Sequence, residues 1–230
     1  MPESYRPLLL GHRGARAVRV IPENTLESFD RALADGCDGF EFDVRLTADG
    51  VAVVCHGRRY QGLEVRGASA GQLGNLPQLE QVLSRYQDRA FLDVELKVIG
   101  LEQITLELLR RYPPQRGFVV SSFLPGVLLA LRKENRRVPL GLICQTRAEL
   151  LRWKELAVEF VIPHQMLAKA LLLRELKRAG KRILVWTVNK PAYMLRFRDL
   201  GVDGIISDET ALLCRAIGTE TEAPRTDSSL

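Results

Sequence analysis

Short runs of aliphatic and β-branched residues alternate with longer amphipathic segments along almost the whole chain. The strand-like runs cover residues 8–12, 39–44, 91–96, 118–121, 140–144, 159–162, 183–187 and 204–207. Helical periodicity marks the segments between them, at residues 25–35, 78–86, 101–111, 125–135, 147–155, 167–179 and 191–200. Such alternation predicts parallel βαβ units. Eight of them within 230 residues predict an α/β fold of the (β/α)8, or TIM, barrel type, near the lower size limit of that fold.

One feature departs from the simple alternation. Residues 51–55 form a further strand-like run after the turn Ala48-Asp49-Gly50, which predicts a hairpin antiparallel to the second strand. Only a short, glycine-containing insertion leads from it to the next helix. The runner-up fold is an open doubly wound sheet, but the segment GHRGARA after the first strand lacks the GxGxxG order of its phosphate loop. We therefore expect one barrel domain over residues 1–218 and a disordered polar tail over residues 219–230.

Composition excludes several other classes of protein. No apolar run approaches the length of about 18 residues that a transmembrane helix needs, and the N-terminus lacks an apolar secretion signal. Four cysteines without CxxC spacing predict free thiols, so a cytoplasmic location is expected. The net charge of +5 comes from 33 basic and 28 acidic residues spread over the chain without aromatic interleaving, so nucleic acid is not an expected partner.

Carboxylates cluster where the second and third strands end. Glu41 and Asp43 lie two residues apart and share a face of the strand, as do Glu95 and Lys97. In a barrel these strand ends meet at the active-site rim. Three converging carboxylates without a thiol or histidine favour a hard cation such as Mg²⁺ or Ca²⁺. An internal salt-bridge network with neighbouring arginines and Lys97 accounts for the spacing equally well.

Two histidines lie at neighbouring strand ends. His12 closes the first strand and His56 closes the hairpin strand, so the pair is suited to general acid–base catalysis. Arg13 and Lys97 are suited to binding an anionic oxygen, and phosphate in particular. His164 also follows a strand, but nothing around it in the sequence indicates more than a structural role.

Four other residues have a less certain place. Cys55 alternates onto the opposite face of its strand, with no base near it, so a nucleophilic role is not expected. Phe123 and Trp186 either line the substrate pocket or pack at the barrel rim. Asp208 follows the last strand and either belongs to the active site or caps the helix expected at residues 209–217.

Taken together, the motifs resemble those of one enzyme family. They are His12-Arg13-Gly14, Pro22-Glu23-Asn24-Thr25, Glu41-Phe42-Asp43-Val44, His56, Glu95-Leu96-Lys97 and Val185-Trp186-Thr187-Val188-Asn189. From about residue 8 to residue 208 their order is similar to that of the glycerophosphodiester phosphodiesterases, which share the barrel of the phosphatidylinositol phospholipase C type. The resemblance implies a metal-dependent phosphodiesterase that converts small-molecule glycerophosphodiesters, the deacylated phospholipids, to glycerol 3-phosphate and an alcohol.

The resemblance also implies roles for individual residues. Those implied to hold a divalent metal, Mg²⁺ or Ca²⁺, are Glu41, Asp43 and Glu95. Those implied to be the catalytic acid–base pair are His12 and His56. Those implied to bind phosphate are Arg13 and Lys97, with Trp186 on the glycerol side. One departure is Gly57, which follows His56 where the family usually has Asp.

Two alternatives to this function remain open. The first is a lysophospholipase D, whose substrate keeps one acyl chain, and the short insertion after the second strand would leave the open mouth that such a substrate needs. The second is a barrel that has lost catalysis and binds a phosphodiester. The sequence predicts neither the head group nor the oligomeric state.

Overall fold

Eight parallel strands and the helices between them build the part of the chain that the computed structural model describes, residues 6–218. In chain order the strands are β1 (Leu8–His12), β2 (Gly39–Leu46), β3 (Ala52–Val54), β4 (Arg59–Tyr60), β5 (Leu63–Glu64), β6 (Phe91–Leu96), β7 (Phe118–Ser122), β8 (Leu140–Cys144), β9 (Phe160–Pro163), β10 (Arg182–Val185) and β11 (Gly204–Ser207). The helices are α1 (Leu26–Ala34), α2 (Leu79–Tyr86), α3 (Glu102–Arg111), α4 (Pro125–Glu134), α5 (Arg147–Leu151), α6 (Ala170–Arg178), α7 (Pro191–Asp199) and α8 (Thr210–Gly218).

The sheet closes on itself. The parallel order is β1-β11-β10-β9-β8-β7-β6-β2, and β1 pairs with β2 as well as with β11. All eight strands therefore point the same way around one barrel, and their C-terminal ends form one rim. The predicted (β/α)8 barrel is confirmed.

The predicted hairpin after the second strand is also present. β3 runs antiparallel to β2 and pairs Val54 with Val44. A small two-stranded ribbon, β4 and β5, and two 3₁₀ turns then lead to α2. This excursion covers one sector of the rim beside β2 and β6.

The helix boundaries agree with the sequence pattern to within a few residues, with two differences. The predicted helix over residues 147–155 is a single α-helical stretch, α5, that tightens into a 3₁₀ turn at Arg152–Lys154. At α1, the sequence Asn24-Thr25-Leu26-Glu27 predicts Asn24 as the N-cap with Glu27 at the third helical position. This prediction is wrong, because Thr25 caps the helix by accepting a hydrogen bond from Ser28 N. Asn24 instead adopts a positive φ of 59° and turns its side chain into the barrel.

Side-chain alternation separates two environments along the strands. On β2, Phe40, Phe42 and Val44 face the helices and join the main hydrophobic core, where the Phe40 ring stacks on that of Phe29 with centroids 4.2 Å apart. The intervening residues of β2 face the barrel axis. A smaller apolar cluster, with Leu10 among its members, fills the lower part of the barrel. The polar site lies above this plug, at the rim.

No helix within residues 6–218 combines the length and the apolar character needed to cross a bilayer. The predicted polar tail, residues 219–230, lies outside the described part of the chain.

Candidate active site

Three carboxylates meet at the rim where β2 and β6 run side by side. Asp43 pairs in register with Glu95, and Glu41 lies one alternation lower on β2. One oxygen from each of these three groups lies within 4.8 Å of the others, and all three residues are buried. The structure thus brings together the three residues that the sequence indicated as metal ligands.

Two cations contact this cluster. Lys97 Nζ lies 2.7 Å from Glu95 Oε1 and 3.2 Å from Asp43 Oδ1, the latter at an angle that makes no hydrogen bond. Arg13 Nε lies 3.0 Å from Asp43 Oδ2. Features of both interpretations of the spacing, the metal site and the internal salt-bridge network, are therefore present, because the carboxylates converge and are also partly salt-bridged. Three carboxyl groups thus face only two cationic side chains.

Glu41 is the carboxyl group that forms no ion pair with the side chain of Arg13 or Lys97. Its Oε2 accepts a hydrogen bond from Arg13 N at 3.0 Å, whereas its buried Oε1 has no hydrogen-bond partner within residues 6–218. Burial, and then repulsion from Asp43, raise the pKa of Glu41 well above its usual value and that of Glu95 to about 8. A bound cation would contact the unpaired oxygen of Glu41 and stabilise the ionised form of these carboxyl groups.

Asp43 behaves differently from its neighbours. Burial alone would raise the pKa of this carboxyl group, but the charges of Lys97 and Arg13 outweigh burial and hold the pKa below its usual value. Asn24 Nδ2 donates a further hydrogen bond to Oδ2 at 2.8 Å. Asn24, which does not cap α1, therefore orients the Asp43 carboxylate in the site.

Asp93 is a buried acid that our sequence analysis missed. It lies two residues before Glu95 and so faces the barrel axis, pairing in register with Glu41. Ser121 Oγ donates a 2.5 Å hydrogen bond to Oδ1, Oδ2 has no hydrogen-bond partner in the described chain, and burial raises the pKa to about 7. The same alternation that revealed Glu95 was the signal that would have found it.

His12 is oriented by Asp208. The imidazole Nδ1 lies 2.7 Å from Asp208 Oδ1. Burial alone would raise the pKa of Asp208, but the bonds from His12, Asn189 and Arg16 outweigh it and hold the pKa far below its usual value. An ionised carboxylate only accepts, so Nδ1 carries the proton and the lone pair of Nε2 faces the cavity, 3.9 Å from Glu41 Oε2. Of the two roles expected for Asp208, the structure favours a place in the site.

His56 follows β3 on the hairpin side of the rim. Arg45 fixes its backbone, since Nε and Nη2 both donate to the His56 carbonyl at 2.9 Å and 2.8 Å. Partial burial lowers the pKa of the imidazole. A Cβ atom at Gly57 would lie 2.8 Å from the carbonyl oxygen of Arg59. The loop that carries His56 therefore approaches Gly57 too closely for a larger residue to fit without a shift of the backbone.

One cavity of about 270 Å³ connects these groups. Its polar side is lined by His12 and His56, by Arg13 and Lys97, and by the acids Glu41, Asp93 and Glu95. The rings of Phe123 and Trp186 also line the cavity and meet edge to face with centroids 5.6 Å apart, and Trp186 Nε1 donates to the Ile162 carbonyl at 2.9 Å. The cavity therefore combines charged and aromatic lining residues.

Two residues with structural expectations lie outside this arrangement. His164 packs edge-on against Trp186, with ring centroids 5.2 Å apart, and its Nδ1 accepts a hydrogen bond from Met166 N. Cys55 is buried, its thiol contacts the Gly57 carbonyl at 3.5 Å, and burial raises its pKa, so it is a poor nucleophile.

Comparison with known proteins agrees with this geometry. The profile of the glycerophosphoryl diester phosphodiesterase family matches residues 12–113 and 61–212. A glycerophosphodiester phosphodiesterase from Caldanaerobacter subterraneus is 28% identical over 240 residues, covering 92% of this chain and 98% of its own.

Solved structures give the same result. A phosphodiesterase from Oleispira antarctica, in complex with the product sn-glycerol-3-phosphate, superposes with a TM-score of 0.81 at 25% identity, covering 94% of this chain and 98% of its own. A glycerophosphodiester phosphodiesterase from Thermotoga maritima reaches a TM-score of 0.77 at 27% identity, covering 91% and 97%. The similarity thus extends over more than nine-tenths of each chain.

Proposed function

Because the chain belongs to the glycerophosphoryl diester phosphodiesterase family, we propose that it hydrolyses glycerophosphodiesters to glycerol 3-phosphate and an alcohol. The observation that carries the proposal is the cavity lined by His12, His56 and two of the three converging carboxylates, Glu41 and Glu95, with the third, Asp43, buried beside them. The names of the similar proteins support the same activity.

A divalent cation fits the carboxylate cluster. Glu41, Asp43 and Glu95 offer only oxygen ligands, one buried oxygen of Glu41 lacks a partner in the described chain, and the three carboxyl groups face only two cationic side chains, those of Arg13 and Lys97. These are the donors that Mg²⁺ or Ca²⁺ prefers. The bound ion would supply Lewis-acid stabilisation of the charge that develops on the phosphoryl oxygens.

His12 acts as the general base. Asp208 holds the proton on Nδ1, so Nε2 is free to take the proton of the attacking hydroxyl, from water or from the neighbouring hydroxyl of the glycerol. As that proton leaves, the attacking oxygen forms a bond to phosphorus. Asp208 then stabilises the imidazolium, which would otherwise be a poorly solvated cation in a largely buried position.

Attack by water gives glycerol 3-phosphate directly. Attack by the glycerol hydroxyl gives a cyclic phosphodiester, and a water molecule then adds to phosphorus and one ring phosphorus–oxygen bond breaks, with the roles of the two histidines reversed.

His56 acts as the general acid. The phosphorus–oxygen bond to the alcohol breaks, and the departing alkoxide takes the proton from the His56 imidazolium. Arg45 holds the backbone of His56 at the cavity edge, while the exposed ring exchanges protons with solvent. Positioned acid–base pairs of this kind contribute about 10²–10⁴-fold to the rate.

Arg13 and Lys97 bind the phosphate. Lys97 has three N–H donors and faces two carboxylates, and the Arg13 guanidinium has donors beyond those directed at Asp43 and Glu23. Each cation therefore retains a donor for a phosphoryl oxygen. Phe123 and Trp186 form the apolar wall, against which the carbon skeleton of the glycerol packs.

The test is hydrolysis of a panel of glycerophosphodiesters, followed as release of choline, ethanolamine or glycerol, with Mg²⁺, with Ca²⁺ and after chelation. We expect activity with a divalent cation, its loss in EDTA, and its loss in His12→Ala and His56→Ala. His164→Ala is the matched control, because this histidine packs behind Trp186 and is expected to leave the rate almost unchanged.

Three results would contradict parts of this proposal. Full activity after exhaustive chelation would remove the metal role, and wild-type rates in both histidine variants would remove the acid–base assignment. Binding of diesters without any turnover would indicate a barrel that has lost catalysis. A lysophospholipid in the same panel distinguishes a glycerophosphodiesterase from a lysophospholipase D, because the latter would hydrolyse the acylated substrate faster.

A further inference from the structure

A second cavity, of about 470 Å³, opens beside the active site under the hairpin excursion. Its walls carry four basic side chains, from Arg45, Arg58, Arg66 and Lys97, and one acidic side chain, from Glu64. Of these residues, only Lys97 takes part directly in the proposed catalytic cycle. We refer to this second cavity as the arginine cavity.

The arginines of this cavity have no anionic partner. Within residues 6–218 no carboxylate oxygen lies within 4 Å of a guanidinium nitrogen of Arg45, Arg58 or Arg66. Glu64 is exposed and forms no ion pair with them either. Burial lowers the pKa of the half-buried Arg45; the charge of Asp43, although too distant for an ion pair, opposes that effect, and the nearby charge of Arg58 adds to it. Like charges gathered without a counterion repel one another, and a bound anion would relieve that repulsion.

The arginine cavity adjoins the catalytic one. Lys97 lines both, so an anion bound by the arginines would lie next to the phosphate site. Arg45 and Lys97 belong to the β2–β6 sector of the rim, whereas Trp186 follows β10, which is separated from β2 by β1 and β11. With the glycerol against Trp186, the alcohol portion of the substrate extends toward the arginines.

We propose that the arginine cavity binds a second phosphate, carried by the alcohol portion of the diester, so that the preferred substrates are glycerophosphodiesters of phosphorylated polyols. This inference rests on the proposed hydrolysis and specifies its substrate class. A cationic alcohol such as choline would meet repulsion in the same place. The overall basic charge of the chain would not by itself produce a preference for phosphorylated substrates, because the other basic residues are distributed along the whole chain.

The experiment compares two diesters that differ by one group: glycerophosphoglycerol, and the same molecule with a phosphate on the leaving glycerol. Loss of the diester signal is followed by phosphorus NMR, which serves both substrates. Because a charge-assisted hydrogen bond contributes about 1.5–3 kcal/mol and exposed groups fall at the low end, we expect kcat/KM to favour the phosphorylated substrate by about tenfold.

The double variant Arg58→Gln/Arg66→Gln is expected to abolish that preference, mainly by raising KM for the phosphorylated diester. Both residues are exposed and lie outside the catalytic groups, so the rate with glycerophosphoglycerol should stay the same. Arg110→Gln/Arg178→Gln is the matched control. It removes the same charge from the C-terminal ends of α3 and α6, at the opposite end of the barrel, and should preserve the preference.

Equal kcat/KM for the two diesters in the wild-type protein would overturn the inference and leave the proposed hydrolysis intact. So would a preference that both double variants reduce alike, since net charge would then be its cause. If no diester is hydrolysed, the proposed function fails instead. Calorimetric titration with the same two diesters then decides the inference, and equal affinities would overturn it.

Discussion

Replacing Asp208 by Asn tests whether this carboxylate sets the proton on His12. Every group around Asp208 donates to it: His12 Nδ1 and Arg16 Nη1 reach Oδ1 at 2.7 Å and 3.2 Å, and Asn189 Nδ2 reaches Oδ2 at 2.6 Å. An Asn side chain must turn its NH₂ group toward one of these donors. If it faces His12, the ring proton moves to Nε2 and the base is lost. If it faces Asn189, that amide is repelled.

The size of the effect follows from the bond that is lost. The side chains of His12 and Asp208 are 10% and 17% exposed, so solvent screens their interaction little. A hydrogen bond to a charged group contributes about 1.5–3 kcal/mol, which corresponds to a loss of roughly 10- to 150-fold. Because the imidazolium forms only as the reaction proceeds, the loss should appear in kcat and leave KM nearly unchanged.

The assay is steady-state hydrolysis of the best substrate of the panel, with thermal unfolding to show that the variant folds. Arg16→Gln is the control. It removes another partner of Asp208 from a half-exposed position but keeps the bond to His12, so kcat should change little. A folded Asp208→Asn protein with the wild-type kcat would refute the assignment of the Nδ1 proton. A loss confined to KM would show that Asp208 acts on binding.

The metal site gives a further prediction, because the pKa of Glu95 is raised to about 8 and that of Glu41 is raised as well. The metal-free protein thus holds extra protons at neutral pH, so its stability falls as the pH rises from the usual pKa of a glutamate toward 8, where Glu95 loses its proton. Mg²⁺ binds the ionised carboxylates, so its binding releases protons, and its affinity increases toward pH 8. Calorimetry in buffers of different ionisation enthalpy measures the release, and an affinity independent of pH would contradict it. Gly57→Ala should lower stability by about 1 kcal/mol, since its Cβ meets the Arg59 carbonyl oxygen. Gly67→Ala, where a Cβ has open space, is its control in thermal unfolding; equal melting temperatures for the two variants would show that the loop adapts.

Much of the fold can be predicted from local patterns of apolar and polar residues. The alternation of strand and helix segments predicts the barrel because each amphipathic segment can bury its apolar face only against a sheet. Period-two alternation also places Glu41 with Asp43 and Glu95 with Lys97 on inward faces, and the register of β2 and β6 brings the two pairs together. Applied one alternation earlier on β6, two residues before Glu95, the same rule would have found Asp93.

Other features of the site depend on contacts that no local pattern contains. Asn24 looked like an N-cap because Asx residues commonly precede helices. Thr25 takes that role, and Asn24 turns to Asp43, nineteen positions away. Arg45 holds the His56 carbonyl across the hairpin, and this contact depends on how β3 folds back on β2. Both contacts follow from backbone geometry around the motifs, which sequence patterns describe only to within a few residues.

The sequence by itself determined that this chain forms a barrel with acids, bases and histidines at its strand ends, since alternation and residue type are local properties. Only the tertiary structure decided how those groups act on one another. His12 and Asp208 are 196 positions apart and meet because β1 pairs with β11 when the sheet closes. The proton on His12, the unpaired oxygen of Glu41 and the uncompensated arginines beside Lys97 all depend on which groups that closure brings into contact, because electrostatic interactions follow distance in space and burial rather than position in the chain.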